Sequence, residues 1–315
     1  MKIVFMGTPD FAIPSLRSLV DAGHEVVAVF TQTDKPKGSG NKISFTPVKE
    51  FALAHNIPIY QPQSLKKETE VYTPIIKELN PDVIVVVAYG KILPKEVLDI
   101  PKCGCVNVHG SLLPKYRGAA PIQWTVLNGD RFGGVTTMLM SEGLDTGDML
   151  LKESVEVGEN ETSSELYERL SEVGAELLVK TLDGLESGQI VPQKQDESLA
   201  CLAPMLSKDM CPIDFNMSAE EIHHRICGLS DWPCASCVLD GKRLKVYRSE
   251  LVKAHSDNSK YTPGEIVNAD DFTVACGSGL VRFTEVQTEG SRRMSTEDYL
   301  RGHPIKKGSI LLKEV

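Results

Sequence analysis

Asp82-Val83-Ile84-Val85-Val86-Val87-Ala88 is apolar without alternation. A strand reads this way when both of its faces are covered, as in a parallel sheet flanked by helices. The neighbouring stretches keep the same rhythm. Upstream, Ile3-Val4-Phe5-Met6 is a buried strand, a helix spans about residues 11–22 and stops at Gly23, and residues 26–30 form a second strand. Thr46-Pro47 places a cap before a proline in the first helical turn, and Val48, Phe51 and Ala52 make an apolar stripe. Residues 57–60 form a short third strand. Downstream, residues 106–109 are a fifth strand, and residues 134–140 and 150–157 read as a hairpin. Thr162-x-x-Glu165 is a capping box, continued on one face by Leu166, Leu170, Val173 and Leu177. Strands alternating with helices predict an α/β fold with a doubly wound, mostly parallel sheet.

The rhythm fades after residue 188. Residues 189–206 are polar and contain proline, which reads as a linker between a first domain at 1–188 and a second at 207–315. The second opens with another capping box, Ser218-x-x-Glu221, with Ile222, Ile226 and Leu229 on one helix face. Short alternating strands follow. Residues 235–239 and 243–247 flank Asp240-Gly241, a hairpin signal, and further strands are expected at 265–267, 272–275, 280–283 and 309–312. Several short strands in about a hundred residues suggest a small β-barrel.

Bulk properties limit the function classes. The 315 residues carry a formal net charge of −9, with 41% hydrophobic residues. Residues 207–315 hold 15 Lys+Arg against 16 Asp+Glu, so the excess acid lies in the first two-thirds. A nucleic-acid partner must therefore use a local patch, such as Arg292, Arg293, Arg301, Lys306, Lys307 and Lys313. A solvated surface of mixed charge reads equally well from charge alone. No signal peptide opens the chain, and the longest apolar run is too short to cross a bilayer, so a cytosolic protein is expected. The eight cysteines read as free thiols. Cys234 and Cys237 form a C-x-x-C, but Cys211 and Cys227 do not supply a finger-like second pair, so no metal is expected.

Candidate chemistry gathers at Cys105-Val106-Asn107-Val108-His109-Gly110-Ser111-Leu112-Leu113-Pro114-Lys115-Tyr116-Arg117-Gly118-Ala119-Ala120-Pro121. Asn107 and His109 are two apart, so a strand presents both on one face. Ligands of open α/β sheets bind at the carboxyl ends of strands. Asp34 stands after the second strand where a ribose-binding acid could, but a dinucleotide is disfavoured, because Gly7-Thr8-Pro9-Asp10-Phe11-Ala12 has one glycine where the pyrophosphate fingerprint needs three. No phosphate-binding P-loop and no G-x-S-x-G elbow occurs. A second loop, Gly143-Leu144-Asp145-Thr146-Gly147-Asp148, brackets two acids with glycines. Singly, such residues are often turn chemistry or satisfied side chains. Together, an amide, an imidazole and a carboxylate suit an amine attacking a carbonyl-type carbon, with the oxyanion stabilised and a proton taken up.

The chain closely resembles the methionyl-tRNA formyltransferase family. The residues that carry the resemblance are the opening Met1-Lys2-Ile3-Val4-Phe5-Met6-Gly7-Thr8-Pro9-Asp10-Phe11-Ala12, Val106-Asn107-Val108-His109, Ser111-Leu112-Leu113-Pro114, Tyr116-Arg117-Gly118-Ala119-Ala120-Pro121-Ile122-Gln123 and Gly143-Leu144-Asp145-Thr146-Gly147-Asp148. The Asn-x-His, Ser-Leu-Leu-Pro and Asp-Thr-Gly-Asp pieces are shared by the wider formyltetrahydrofolate-dependent formyltransferase group. The resemblance implies a Rossmann-like catalytic domain and a C-terminal OB-fold-like barrel that holds tRNA. It implies 10-formyltetrahydrofolate as co-substrate, lying against Ser111, Leu112, Leu113 and Pro114, and initiator methionyl-tRNA as acceptor; a monomer is expected. Asn107 and His109 would stabilise the oxyanion, and Asp145 would handle the proton, directly or through His109 or a water. Family members carry an arginine at the place of Ser39 that helps recognise the tRNA end. Here the cations nearby are Lys35, Lys37 and Lys42, which hold phosphate as point charges rather than as a planar fork. Formylation of a sugar-nucleotide amine remains an alternative, as does a tRNA-binding module without activity.

Overall fold

The computed structural model describes residues 1–37, 42–253 and 260–313; of Lys37 and Lys42 only the backbone is described. Ser39 lies outside the described residues. The elements begin with β1 (Lys2–Gly7), α1 (Ala12–Asp21), β2 (Glu25–Phe30), β3 (Lys35–Lys37), β4 (Lys42–Ser44), α2 (Pro47–Ala54) and β5 (Ile59–Tyr60). They continue with α3 (Thr69–Leu79), β6 (Val83–Val87), α4 (Lys95–Leu98), β7 (Cys105–His109), β8 (Lys115–Gly118), α5 (Pro121–Leu127), β9 (Phe132–Leu139), β10 (Met149–Glu156) and α6 (Ser163–Glu186). The remainder is β11 (Cys201–Ala203), α7 (Ala219–Gly228), β12 (Ala235–Leu239), β13 (Lys242–Leu251), β14 (Ile266–Asn268), β15 (Thr273–Ala275), β16 (Leu280–Thr288), β17 (Met294–Ser295) and α8 (Thr296–Gly302).

The chain forms two compact units. The first comprises Met1–Gly118, Gly134–Val155 and Tyr167–Leu202. The second comprises Ala119–Gly133, Glu156–Leu166 and Ala203–Val315.

The first unit is built on a seven-stranded sheet of order β10-β9-β7-β6-β1-β2-β5. β5, β2, β1, β6 and β7 are mutually parallel, and β9 runs antiparallel to β7. β6, the run quoted first, lies between β1 and β7, and all five of its residues are buried. Its lack of alternation follows: neither face meets water, so each position gains about 1.5–3 kcal/mol from an apolar side chain. The chain winds one way from β1 through β2 to β5 and the other way from β1 through β6 to β7. The switch point thus falls between β1 and β6. The single glycine there serves packing. A Cβ on Gly7 would lie 2.7 Å from the Val87 carbonyl oxygen and 2.9 Å from the Ala12 Cβ. Close approach of β1, β6 and α1 requires it.

The expected caps are present. Thr46 accepts from the Lys49 backbone N–H, with Pro47 in the first turn of α2. Thr162 and Glu165 exchange hydrogen bonds at the start of α6. Leu170 and Leu177 are buried, and Val173 is half-buried. The polar stretch expected as a linker is hydrogen-bonded into the first unit. Gln193 exchanges two backbone hydrogen bonds with Met149, and the Cys201 N–H donates to the Pro114 carbonyl. Its polar residues find backbone partners in place of apolar ones, so no hydrophobic pattern marks it.

In the second unit an antiparallel sheet runs β12-β13-β16-β15-β14, with β17 against β16. Asp240 and Gly241 both have positive φ, as the two-residue β12–β13 hairpin requires. Residues 309–312, expected as a strand, form bridges instead. Leu312 pairs with Val238 on β12, and Ile310 pairs with Glu265 just before β14. The tail thereby joins the two edges of the sheet and closes a barrel-like unit, removing strand edges that would otherwise lie open. Phe215, Ile222, Val246, Val274 and Phe283 fill its core. α7 carries the expected capping box, with Ser218 and Glu221 each bonding the other's backbone N–H.

Candidate active site

β7 delivers the predicted pair. Val106 and Val108 are buried on one face, while Asn107 is half-buried and His109 is 7% exposed on the other. The Asn107 side chain has no hydrogen-bond partner among the described residues, so its amide is available to a ligand.

His109 is oriented by its own loop. Its Nε2 lies 2.7 Å from the Tyr116 carbonyl oxygen. A carbonyl only accepts, so Nε2 carries the hydrogen and donates it. That leaves Nδ1 as the ring atom able to take or release a proton. The Asp145 Oδ2 lies 3.8 Å from Nδ1, beyond hydrogen-bond length but within ionic reach. Such pairs tighten when substrate binds. The same carboxylate oxygen accepts from the Gly118 backbone N–H at 2.8 Å.

Asp145 sits on an unusual turn. Its φ is +51°, in the left-handed region. Two residues later, a Cβ on Gly147 would lie 1.6 Å from the Leu139 carbonyl oxygen, so the loop returns to β9 only with glycine there. The glycine-bracketed pattern thus reflects close backbone approach. Asp148 follows as ordinary turn chemistry, its carbonyl accepting from the Leu139 N–H.

The 111–114 loop is held from within. Ser111 is 1% exposed; its hydroxyl donates to the Tyr116 carbonyl at 3.0 Å, and its own carbonyl accepts from Thr136 Oγ1 at 2.6 Å. Leu113 is wholly buried, its N–H donating to Thr136 Oγ1 and its carbonyl accepting from Lys152 Nζ. Burial pulls the Lys152 ammonium below its ordinary pKa. Leu112 packs over Gly134 and, with Pro114, remains half-buried. Of the four residues, Ser111 and Leu113 shape the loop, and Leu112 and Pro114 offer its accessible edge.

Sequence reasoning missed three residues here. Thr136 pins the loop from β9. Arg117, 7% exposed, donates from Nε to Gln195 Oε1 at 3.0 Å and from both terminal nitrogens to Glu197 at 3.0 and 2.7 Å. Gln195 donates from Nε2 to the Asp145 and Gly147 carbonyls, each at 2.8 Å. The hydrogen bond to Arg117 holds the Glu197 carboxyl below its usual range. Gln195 lies in the stretch that reads as a linker, and nothing local in the sequence marks it.

The candidate nucleic-acid lysines stand elsewhere. Lys35 is exposed on the β3–β4 hairpin, whose last rung pairs Lys37 with Lys42. Asp34, which could have served a ribose, is engaged by Lys49 at 2.6 Å and Gln61 at 2.9 Å. Of the C-terminal cations, Arg293 pairs with Asp231 and Glu285, Arg301 with Glu297 and Asp298, and Lys313 with Asp214. Arg292, Lys306 and Lys307 are exposed, with no ion pair among the described residues. Among those residues, no group of three or more His, Cys, Asp or Glu side chains could hold a metal ion. Six of the eight cysteines are buried, and burial pushes the Cys237 thiol up to about 12.

The profile of the formyl transferase family matches residues 1–182, and that of the formyl transferase C-terminal domain matches residues 205–304. Methionyl-tRNA formyltransferase of Clostridium novyi is 50% identical over 313 residues, covering 99% of this chain and 100% of the relative. That of Caldanaerobacter subterraneus subsp. tengcongensis is 49% identical over 312 residues, with 99% and 100% covered. The chain belongs to the methionyl-tRNA formyltransferase family. Among solved structures, the sugar 3N-formyl transferase WlaRD, in the presence of dTDP and 5-N-formyl-THF, superposes with a TM-score of 0.67 at 19% identity. That match covers 93% of this chain and 99% of WlaRD, and it shows a shared fold. No helix among the described residues is long and apolar enough to cross a membrane.

Proposed function

We propose that this enzyme transfers the formyl group of 10-formyltetrahydrofolate to the α-amine of methionyl-initiator-tRNA, giving N-formylmethionyl-tRNA for translation initiation. The observation that carries the acceptor is the extent of the match. Relatives named for methionyl-tRNA align along 99% of the chain, the barrel unit included.

The residues present fit a folate donor: a free amide at Asn107, and an accessible edge at Leu112 and Pro114 on the loop that follows. The donor supplies an activated formyl carbon. The Asn107 amide N–H, together with a protonated His109, stabilises the negative charge that develops on the formyl oxygen. An α-amine has a pKa near 8, so part of it arrives protonated and must lose a proton to react. His109 Nδ1 receives that proton, beside the Asp145 carboxylate, and returns it to N10 of the departing tetrahydrofolate as the formyl–N10 bond breaks; the amine's remaining excess proton leaves to solvent as the new C–N bond forms. Ser111 serves by shape, since its hydroxyl is committed to Tyr116.

The first unit carries this chemistry, and the second, which includes residues 203–315, holds the tRNA. Lys35, Lys37 and Lys42, together with Arg292, Lys306 and Lys307, contact phosphates, which positions the acceptor stem without reading its sequence. The enzyme acts as a monomer in the cytoplasm. The experiment follows both products at once. Tetrahydrofolate release should match N-formylmethionine recovered from the tRNA, mole for mole. Release without formylmethionine would identify a hydrolase and overturn the reading.

A further inference from the structure

We propose that Gln195, fixed by Arg117, is a positioning residue for the Asp145 carboxylate. The inference rests on the catalytic role of Asp145 proposed above.

Three observations carry it. First, Arg117 settles which way the Gln195 amide faces. Its Nε–H donates to Gln195 Oε1, so the NH2 group points away from Arg117. Second, both hydrogens of that NH2 are used on one loop. They go to the carbonyls of Asp145 and Gly147, the two residues that bracket the turn. Third, the turn needs support. Asp145 has φ +51°, a conformation that a non-glycine residue keeps only when its surroundings hold it. Gln195 is 9% exposed, so its two bonds are not exchanged freely with water.

The arrangement also links the turn to the strand that orients His109. Arg117 directly follows Tyr116, whose carbonyl receives the His109 Nε2–H. The next backbone N–H, of Gly118, donates to Asp145 Oδ2. The Arg117 side chain reaches Gln195, and Gln195 grips the Asp145 backbone. Both partners of the His109–Asp145 pair are thus referenced to β8, one through its backbone and one through Gln195. Glu197 closes the outer side of Arg117 with two hydrogen bonds, which keeps the guanidinium from turning away.

The test uses the whole enzyme with methionyl-tRNA and 10-formyltetrahydrofolate. Gln195→Met keeps the length of the side chain and removes both donors. Gln195→Glu keeps a partner for Arg117 but sets an oxygen against two carbonyls. Each should lower kcat by about 10- to 100-fold, the scale of a catalytic group misplaced by about an ångström, with KM for either substrate changed less than about threefold. The pH profile of kcat should shift along with it. In an Asp145→Ala background, Gln195→Met should add less than about threefold, because the group it positions is gone. A multiplicative double variant, or full activity in Gln195→Glu, would overturn the inference. So would a loss confined to KM. An inactive wild-type enzyme would instead overturn the functional reading on which it rests.

Discussion

His109 bonds to the Tyr116 carbonyl through Nε2, and that one contact leaves Nδ1 facing Asp145. A histidine held this way transfers protons at one defined atom. Asn107 supplies the neutral donor beside it. Asn107→Ala, His109→Ala and Asp145→Ala should each lower kcat by at least about 10²-fold, measured on variants whose melting curves match the wild type. Wild-type rates in any folded variant would remove that residue from the site. The placement of Asn107 and His109 on one strand face and of Asp145 in a glycine-bracketed turn was legible in the sequence, because alternation along a strand and glycines around a turn are local patterns. Arg117 and Gln195 were not. They meet across 78 positions of chain, and hydrogen bonds between distant side chains leave no periodic trace.

At the scale of elements, short signals translated well where chemistry is local. Thr46-Pro47, Thr162-x-x-Glu165 and Ser218-x-x-Glu221 each became a capped helix start, because the partners lie within one turn. The strand expected at 309–312 became a set of bridges closing a barrel, since its partners at Val238 and Glu265 are far away in sequence. The loop after β2 illustrates a structural use of an acid that could have bound a ligand. Hydrogen bonds from Lys49 and Gln61 hold the Asp34 carboxyl below its usual pKa. A depressed carboxyl contributes stability that is complete above its unfolded value near 3.9 and is lost as pH falls through the lower folded value. Asp34→Asn should therefore be less stable than the wild type at pH 7. In urea melts taken at successive pH values, the gap should close below about pH 4. A gap that stays constant to pH 3 would show that the ion pair is not its source.

The whole molecule is acidic, yet its proposed acceptor is a polyanion. The excess acid lies outside residues 207–315, and within that region carboxylates engage Arg293, Arg301 and Lys313. Counting cations in the sequence therefore overstates the positive surface. Lys306 and Lys307 remain exposed, and they should carry much of the salt dependence. The KM for tRNA should rise steeply with salt while that for the folate stays nearly flat. Lys306→Ala and Lys307→Ala should each reduce the logarithmic salt slope by about one. The alternation of strands and helices and the hairpin-rich C-terminal third were both visible in the sequence. The excursions of Ala119–Gly133 and Glu156–Leu166 into the second unit were not. Periodicity tells which face of a segment is apolar, not which neighbour covers it.

The most direct measurement is kcat/KM for formylation of methionyl-initiator-tRNA compared with amino-sugar nucleotides, at equal 10-formyltetrahydrofolate. Formylmethionyl-tRNA is the expected product, with the tRNA preferred by at least about 10²-fold, as where a correctly placed polar acceptor is required. Formylated sugar nucleotide, with charged tRNA left unmodified, would contradict it.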